Sequence, residues 1–414
     1  MSAKPKPITD PPSAKEMAGR LANVRTLMAE HNLDYYVSFD PVNIYYLTNF
    51  ANNVHERPFI LVIPKEGTPK MVCPLLEMVH VMARALCELE YVNYYEVPSP
   101  EGENWYDIYP KLLGTNARVG VEAAMPLGIS KVTPGEVVMV DIIDEVRLVK
   151  TDYEIGRSVH ACDITKEGHL KLMEICRPGA AEIAIYGEVV RHMMGKVLTE
   201  IPNANLIVSK FIGAVWPPSI SHDPHRVPTP YQLMEEGGPH VSIVTAQVDG
   251  YGMEVERTFF LGSMPDKCKK PFEVAMEARA KAYELAKPGA VLSDIDTAAR
   301  KIIFDAGYGD YLLHRTGHGG HHRPRGALRC HRRRPGAGAG DDHQHRAGHL
   351  QGGGGGLSPF RFRADHRKRE HQPHRCPRYP GRPDYSAVMR AVHPAAGPSS
   401  AERRSGGILI QICI

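Results

Sequence analysis

The eight cysteines, at positions 73, 87, 162, 176, 268, 330, 376 and 413, include no CxxC pair. That spacing argues against a zinc ribbon and against a disulfide framework. No apolar run approaches the length of a membrane span. The opening Met1-Ser2-Ala3-Lys4-Pro5-Lys6-Pro7 lacks the apolar core of a signal peptide and reads as a loose tail over 1–14. No glycine-rich phosphate loop appears, so a nucleotide role is not expected. These absences describe a reduced, cytoplasmic protein with no membrane partner.

What is present is long enough for two domains or more: 414 residues, 43% of them hydrophobic. The formal net charge of +3 hides a division. Residues 320–414 hold 18 basic and 6 acidic residues, and the rest of the chain holds 32 basic and 41 acidic ones. The body is acidic and the basicity is in the tail. That tail carries 10 of the 21 histidines, a single lysine at Lys368, and five consecutive glycines at 352–356. Such a composition does not build a core. Three readings fit it: a nucleic-acid-binding tail, a His/Cys metal tract, or a shifted reading frame over GC-rich coding DNA. The third is favoured, because the change of character falls inside a motif rather than after a domain. A nucleic-acid partner is therefore not expected.

A short pattern occurs twice. Arg177-Pro178-Gly179 and Lys287-Pro288-Gly289 stand 110 residues apart, each between two helix-period stretches, 164–176 and 182–194, then 274–286 and 294–306. A basic residue suits a helix C-terminus, proline cannot continue the helix, and glycine accepts the turn. Ser293 reads as the N-cap of the last stretch. The duplication predicts a pseudo-symmetric domain with a cleft between related halves. Ahead of it, 14–32 reads as a helix and 34–38 as a strand. Asn43-Ile44-Tyr45-Tyr46-Leu47 and Pro58-Phe59-Ile60-Leu61-Val62-Ile63 form a second unit. Strands follow at 70–72, 91–97 and 118–121, with helices near 76–89 and 105–113. Alternating strands and helices predict an α/β layer. The stretch 146–154 reads as a linker between the two parts.

Three segments carry candidate chemistry. Ser221-His222-Asp223-Pro224-His225 places two histidines in a proline-flanked loop, either a proton shuttle or an ordinary surface loop. The stretch 240–261 reads as a hairpin turning at Asp249-Gly250. Glu254 and Glu256 share one of its faces by the two-residue period. They would bind a cationic group or a metal, or exchange protons, unless the face is solvated with Arg257 as counter-ion. Thr316-Gly317-His318-Gly319 leaves an imidazole accessible between glycines, a weak signal alone.

In this order, together with Lys150-Thr151-Asp152-Tyr153-Glu154-Ile155 and Gly250-Tyr251 through Arg257-Thr258-Phe259, the segments resemble the creatinase/Xaa-Pro peptidase (M24, pita-bread) family over about residues 15–319. The resemblance implies an α/β (α+β) fold. An N-terminal creatinase-type α/β domain at 15–148 would precede a pseudo-symmetric pita-bread domain at 149–319, incomplete at its C-terminal end, with 320–414 not natively folded. It implies a hydrolase of C–N bonds and a homodimer acting on a small molecule or dipeptide. Xaa-Pro peptidases of the family activate water with two metal ions on two Asp, one His and two Glu. Counted back from Arg257, the two Asp positions here are Ile243 and Glu254. The metal-independent, creatinase-like branch is therefore favoured, with no cofactor. A divalent metal (Mn, Co or Zn), with Glu254 and His318 as its ligands if any, belongs to the peptidase alternative, a metal-dependent Xaa-Pro dipeptidase or aminopeptidase P. A non-catalytic binding protein is a third. The creatinase pattern assigns His225 as acid/base, Glu256 with Glu254 to the nitrogen side, His318 to the site lining, and Arg57 to the substrate carboxylate across the dimer.

Overall fold

A computed structural model describes residues 5–54, 56–223, 226–287, 289–319 and 410–412. The chain begins on α1 (Ala14–Glu30), capped by Ser13, whose side chain accepts from the Glu16 amide. Met17, Val24 and Met28 form its buried stripe. Six strands follow: β1 (Tyr35–Ser38), β2 (Ile60–Pro64), β3 (Lys70–Pro74), β4 (Glu90–Tyr94), β5 (Arg118–Val121) and β6 (Glu136–Met139). They form one mixed sheet in the order β4-β3-β2-β1-β5-β6, with β1–β2 and β2–β3 antiparallel and the outer pairs parallel. Alternation sorts the side chains onto two faces. Tyr36, Leu61, Ile63 and Met71 pack with Val24 and Met28 on one. Val37, Ile60, Val62, Val72 and Val119 pack with Tyr109 on the other.

The stretch 43–47, grouped with the strands in the sequence reading, is instead helical: α2 (Pro41–Thr48). Asp40 caps it by accepting from the Val42 and Asn43 amides, and Pro41 supplies a preset φ at its first turn. Directly after β5 comes Glu122, which is fully buried. Its carboxylate accepts four hydrogen bonds, from Ser38 Oγ (2.7 Å), the Phe39 amide (3.0 Å), the Asp40 amide (2.9 Å) and Asn43 Nδ2 (2.8 Å). One side chain thus joins the ends of β1 and β5 to the start of α2.

The loose tail expected over 1–14 departs from what residues 8–12 do. The Ile8 amide donates to the Gly156 carbonyl at 3.1 Å, and the Ile8 side chain occupies the space where Gly156 has no Cβ. Tyr153 Oη donates to the Asp10 carbonyl and Arg157 Nη1 to the Thr9 carbonyl. A glycine on the helix surface makes the groove into which the arm fits, a cue outside the arm's own polar sequence.

The expected linker over 146–154 is also more ordered than its sequence suggested. After the short helices α3 (Met78–Arg84), α4 (Trp105–Ile108), α5 (Leu127–Val132) and α6 (Ile142–Val146), the long α7 (Asp152–Ile175) starts inside that stretch, with Thr151 and Glu154 forming a reciprocal capping box. Lys150 is buried and donates to the Arg147 carbonyl at 2.8 Å. Burial pushes the Lys150 ammonium down to about 7, against the favourable charge of Glu154. An unfolded lysine titrates near ~10.4. Between about pH 7 and 10 the unfolded chain therefore binds more protons, and this group makes stability rise with pH; below that window it adds no slope. Lys150→Met is expected to remove that rise. Urea midpoints at about pH 7 and pH 9.5 check it: wild type gains on the variant with pH, and a constant offset contradicts the assignment.

The second part opens with α7, then α8 (Glu182–Glu200), and a three-stranded antiparallel sheet of β7 (Lys210–Trp216), β8 (Gly237–Val248) and β9 (Tyr251–Leu261) in that order. Ile164, Leu172, Val189 and Met193 of the helices pack on Phe211, Val215, Val244 and Ala246 of the sheet. Then α9 (Asp266–Leu285) and α10 (Leu292–Asp305) pack on each other through Val274, Ala278, Ile295 and Ala299. The two Pro-Gly breaks are alike, with Gly179 at φ 82° and Gly289 at φ 85°, conformations that favour glycine. Ser293 is not the N-cap: Val291 holds that place and α10 starts at Leu292, matching the uncapped Ala181 start of α8. Neither start carries a side-chain cap hydrogen bond. Among the described residues, α9–α10 is followed by the short β10 (Gly317–Gly319), paired with β11 (Ile410–Ile412). The remainder of 320–414 lies outside the described residues.

Candidate active site

Strand parity builds the site. Asp249 (φ 48°) and Gly250 (φ 81°) both take positive φ, so β8 and β9 meet in the two-residue turn that favours a twisted hairpin. The turn fixes the register: Thr245 opposes Glu254, and Ile243 opposes Glu256. On the adjoining strand Ala214 opposes Ile243 and Ile212 opposes Thr245. One sheet face therefore carries Trp216, Ala214, Ile212, Ile243, Thr245, Glu254 and Glu256. The other face is covered by α7 and α8.

Glu254 and Glu256 stand on that face, both half-buried, two residues apart on β9. Thr245 Oγ1 donates to Glu254 Oε2 at 3.2 Å, which holds this carboxylate across the strand pair. Ala214, Trp216, Ile220, Val241 and Ile243 form an apolar cluster beside them. The sequence reading missed this apolar wall. Its signal was the near-continuous hydrophobic run of β7, which lacks the alternation used to find strands. The face combines a hydrocarbon surface with two carboxylates, a pairing suited to a ligand with an apolar body and a cationic nitrogen.

Arg257, considered as their counter-ion, has opposite strand parity. Its Nη1 donates to the Glu256 carbonyl at 2.7 Å. Burial, and then the neighbouring Arg279, bring its guanidinium down to about 10. His169 is on α7, and burial with the Arg257 charge lowers its imidazole to about 4, so it is neutral at physiological pH.

His225 lies outside the described residues. Of the residues that follow it, Arg226 returns to the end of β7, where its carbonyl accepts from Trp216 Nε1 at 2.9 Å. His318 is on β10 by its backbone, and its side chain lies outside the described residues. Arg57 sits before β2 and is 31% exposed. It is ion-paired with Glu56 at 3.3 Å and Glu96 at 3.2 Å, carboxylates of its own part of the chain. A substrate carboxylate would have to compete with both.

The implied divalent metals do not fit the described donors. Ile243, at the first of the two family Asp positions, offers only hydrocarbon and is 7% exposed within the apolar cluster. Glu254 supplies one carboxylate, already accepting from Thr245. Among the described residues no group of three or more His, Cys, Asp or Glu side chains is placed to hold a metal ion.

Comparison with known proteins decides the family. The creatinase/prolidase N-terminal domain matches residues 20–149, and metallopeptidase family M24 matches residues 158–344. The chain belongs to the creatinase/Xaa-Pro peptidase (M24) family. It is 27% identical over 309 residues to an Xaa-Pro dipeptidase of Pyrococcus furiosus, covering 73% of this chain and 82% of that protein. It is 28% identical over 286 residues to an uncharacterized peptidase of Staphylococcus aureus, covering 67% and 76%. Among solved structures, the prolidase from Pyrococcus horikoshii superposes with a TM-score of 0.64 at 24% identity, covering 75% of this chain and 85% of that one. That likeness shows the fold: a mixed α/β chain with a creatinase-type N-terminal domain and a pita-bread M24 domain. M24 proteins of this kind are hydrolases of C–N bonds. The favoured metal-independent reading finds no support in these comparisons, because the matching family is described as metallopeptidases. Among the described residues no helix is long and apolar enough to cross a membrane.

Proposed function

We propose that this M24-family chain hydrolyses the C–N bond of a small substrate bearing a cationic nitrogen and a carboxylate, with Xaa-Pro dipeptides as its first substrate class. The observation that carries this is the β9 face, where Glu254 and Glu256 stand beside the apolar cluster around Trp216 and Ile243. The similarity to the named Xaa-Pro dipeptidase supports the dipeptide. A dipeptide's ammonium meets the two carboxylates, its side chain lies on the apolar wall, and its carboxylate is taken by Arg57, in a homodimer by the Arg57 of the second copy. His225 is assigned the proton transfer: water adds to the carbonyl carbon, the C–N bond breaks, and the proton passes to the departing nitrogen. His318 is assigned to the site lining. The described donors do not fit a metal.

A second reading, metal-free hydrolysis of a guanidino acid such as creatine, is favoured by Ile243 alone. Turnover of Ala-Pro and of creatine, each in chelator and with added Mn²⁺, separates the two. Ala-Pro hydrolysis restored by Mn²⁺ and lost in chelator selects the peptidase and places its metal on ligands beyond the described donors. Creatine hydrolysis unchanged in chelator selects the second reading. A folded chain that cleaves neither overturns both.

A further inference from the structure

The tip of the site hairpin is held by the N-terminal part of the chain. Arg20, on α1, is 3% exposed. Its guanidinium donates to Glu16 Oε1 at 2.9 Å, to the Tyr46 carbonyl at 2.8 Å, and to Tyr251 Oη at 2.9 Å, across 231 residues of sequence. It also lies over the Tyr46 ring at 4.5 Å and the Tyr153 ring at 5.5 Å. Tyr251 is the first residue of β9, three before Glu254. A second guanidinium holds the other side of the turn: Arg157 Nη2 meets Asp249 Oδ2 at 2.6 Å, with both side chains buried. Asp249 also accepts from the Asn205 amide at 2.7 Å, and the Gly250 amide donates to the Val208 carbonyl at 2.9 Å. Val42 and Tyr45 of α2 lie against Gly250, so a side chain there would meet them at ordinary contact distance.

We propose that Arg20 is a positioning residue for the β9 carboxylates, acting through Tyr251 and fixing where Glu254 and Glu256 stand relative to the N-terminal domain. This rests on the reading of the β9 face as the substrate site. The physical case is geometric. A β-hairpin tip is free to rock unless something outside the sheet holds it. Here a buried, three-way bonded guanidinium ties the first residue of β9 to two elements of another domain. Its planar fork fits those directions, and a lysine ammonium would not reproduce all three. A strand advances about 3.3 Å per residue, so Glu254 lies about 10 Å from the clamp, within one stiff strand.

The test compares full-length wild type, Arg20→Lys, Arg20→Met and Tyr251→Phe. Hydrogen exchange is read peptide by peptide, alongside Ala-Pro and creatine kinetics under both metal conditions. Tyr251→Phe removes only the hydroxyl, and so guards against an Arg20 variant that fails to fold. The expected result is a rise of about tenfold or more in exchange across 251–257 in Tyr251→Phe and Arg20→Met. Peptides covering β1 and β2 keep wild-type exchange, Arg20→Lys falls between, and KM rises more than kcat falls. Unchanged exchange at 251–257, or a rise shared equally by both domains, overturns the proposal. So does looser β9 exchange with unaltered kinetics in a chain whose wild type is active. A wild type that cleaves neither substrate refutes the functional reading instead, and the exchange pattern alone then decides whether Arg20 holds the hairpin.

Discussion

Glu256→Gln is expected to lower kcat/KM of the full chain by about 10²-fold or more, with the fold unchanged. The amide keeps the size of the carboxylate and removes its charge, so a cationic nitrogen loses the partner that draws it onto β9. The side chain is half-buried opposite Ile243, at the edge of the apolar cluster, where a charge interaction is less screened than on an open surface. Glu188→Gln is the control: Glu188 is on the outer surface of α8, paired with Arg191, and its loss should leave turnover unchanged. Steady-state kinetics on both variants, with circular dichroism to confirm folding, checks the result. Equal rates in wild type and Glu256→Gln would remove the β9 face from the reaction.

Glu122→Ala is expected to destabilise the chain by at least about 3 kcal/mol. The variant leaves the Ser38 hydroxyl, the Asn43 amide and two backbone N–H groups without their acceptor in a site with no solvent access. Each unsatisfied buried donor costs about 1–3 kcal/mol, with relaxation recovering part of the total. Glu122→Gln should cost less, since its oxygen still accepts while its NH₂ faces a donor. Denaturant midpoints of the three proteins give the order wild type, Gln, Ala. A Glu122→Ala midpoint equal to wild type would mean the four donors find other partners.

The hairpin was legible because two signals agreed, period-two alternation and an Asp-Gly turn. The register that places Glu254 and Glu256 together follows from them. The paired helices were legible from the Pro-Gly breaks, whose glycines take the positive φ that only glycine adopts easily. Other features depended on partners distant in sequence. α2 was missed although Asp40-Pro41 is a helix-start signal, because its interior Ile44-Tyr45-Tyr46 has β-type residues and tertiary packing decided. The exposed β6 and the doubly buried β7 lack alternation for opposite reasons. Nothing local in the sequence marks Arg20 for burial; that follows from packing that brings it to Tyr251, 231 residues away. The site was legible only as far as Glu254 and Glu256 sharing a face. The apolar wall beside them, the Thr245 bond and the clamp at the tip required the fold.

The most direct test of the central claim is a crystal structure of the full-length chain with Ala-Pro bound. The dipeptide ammonium is expected at about 3 Å from the carboxylates of Glu254 or Glu256. Its side chain should lie against Trp216 and Ile243, and its carboxylate should point to an Arg57 guanidinium. A dipeptide bound elsewhere, with the β9 face empty, would contradict it.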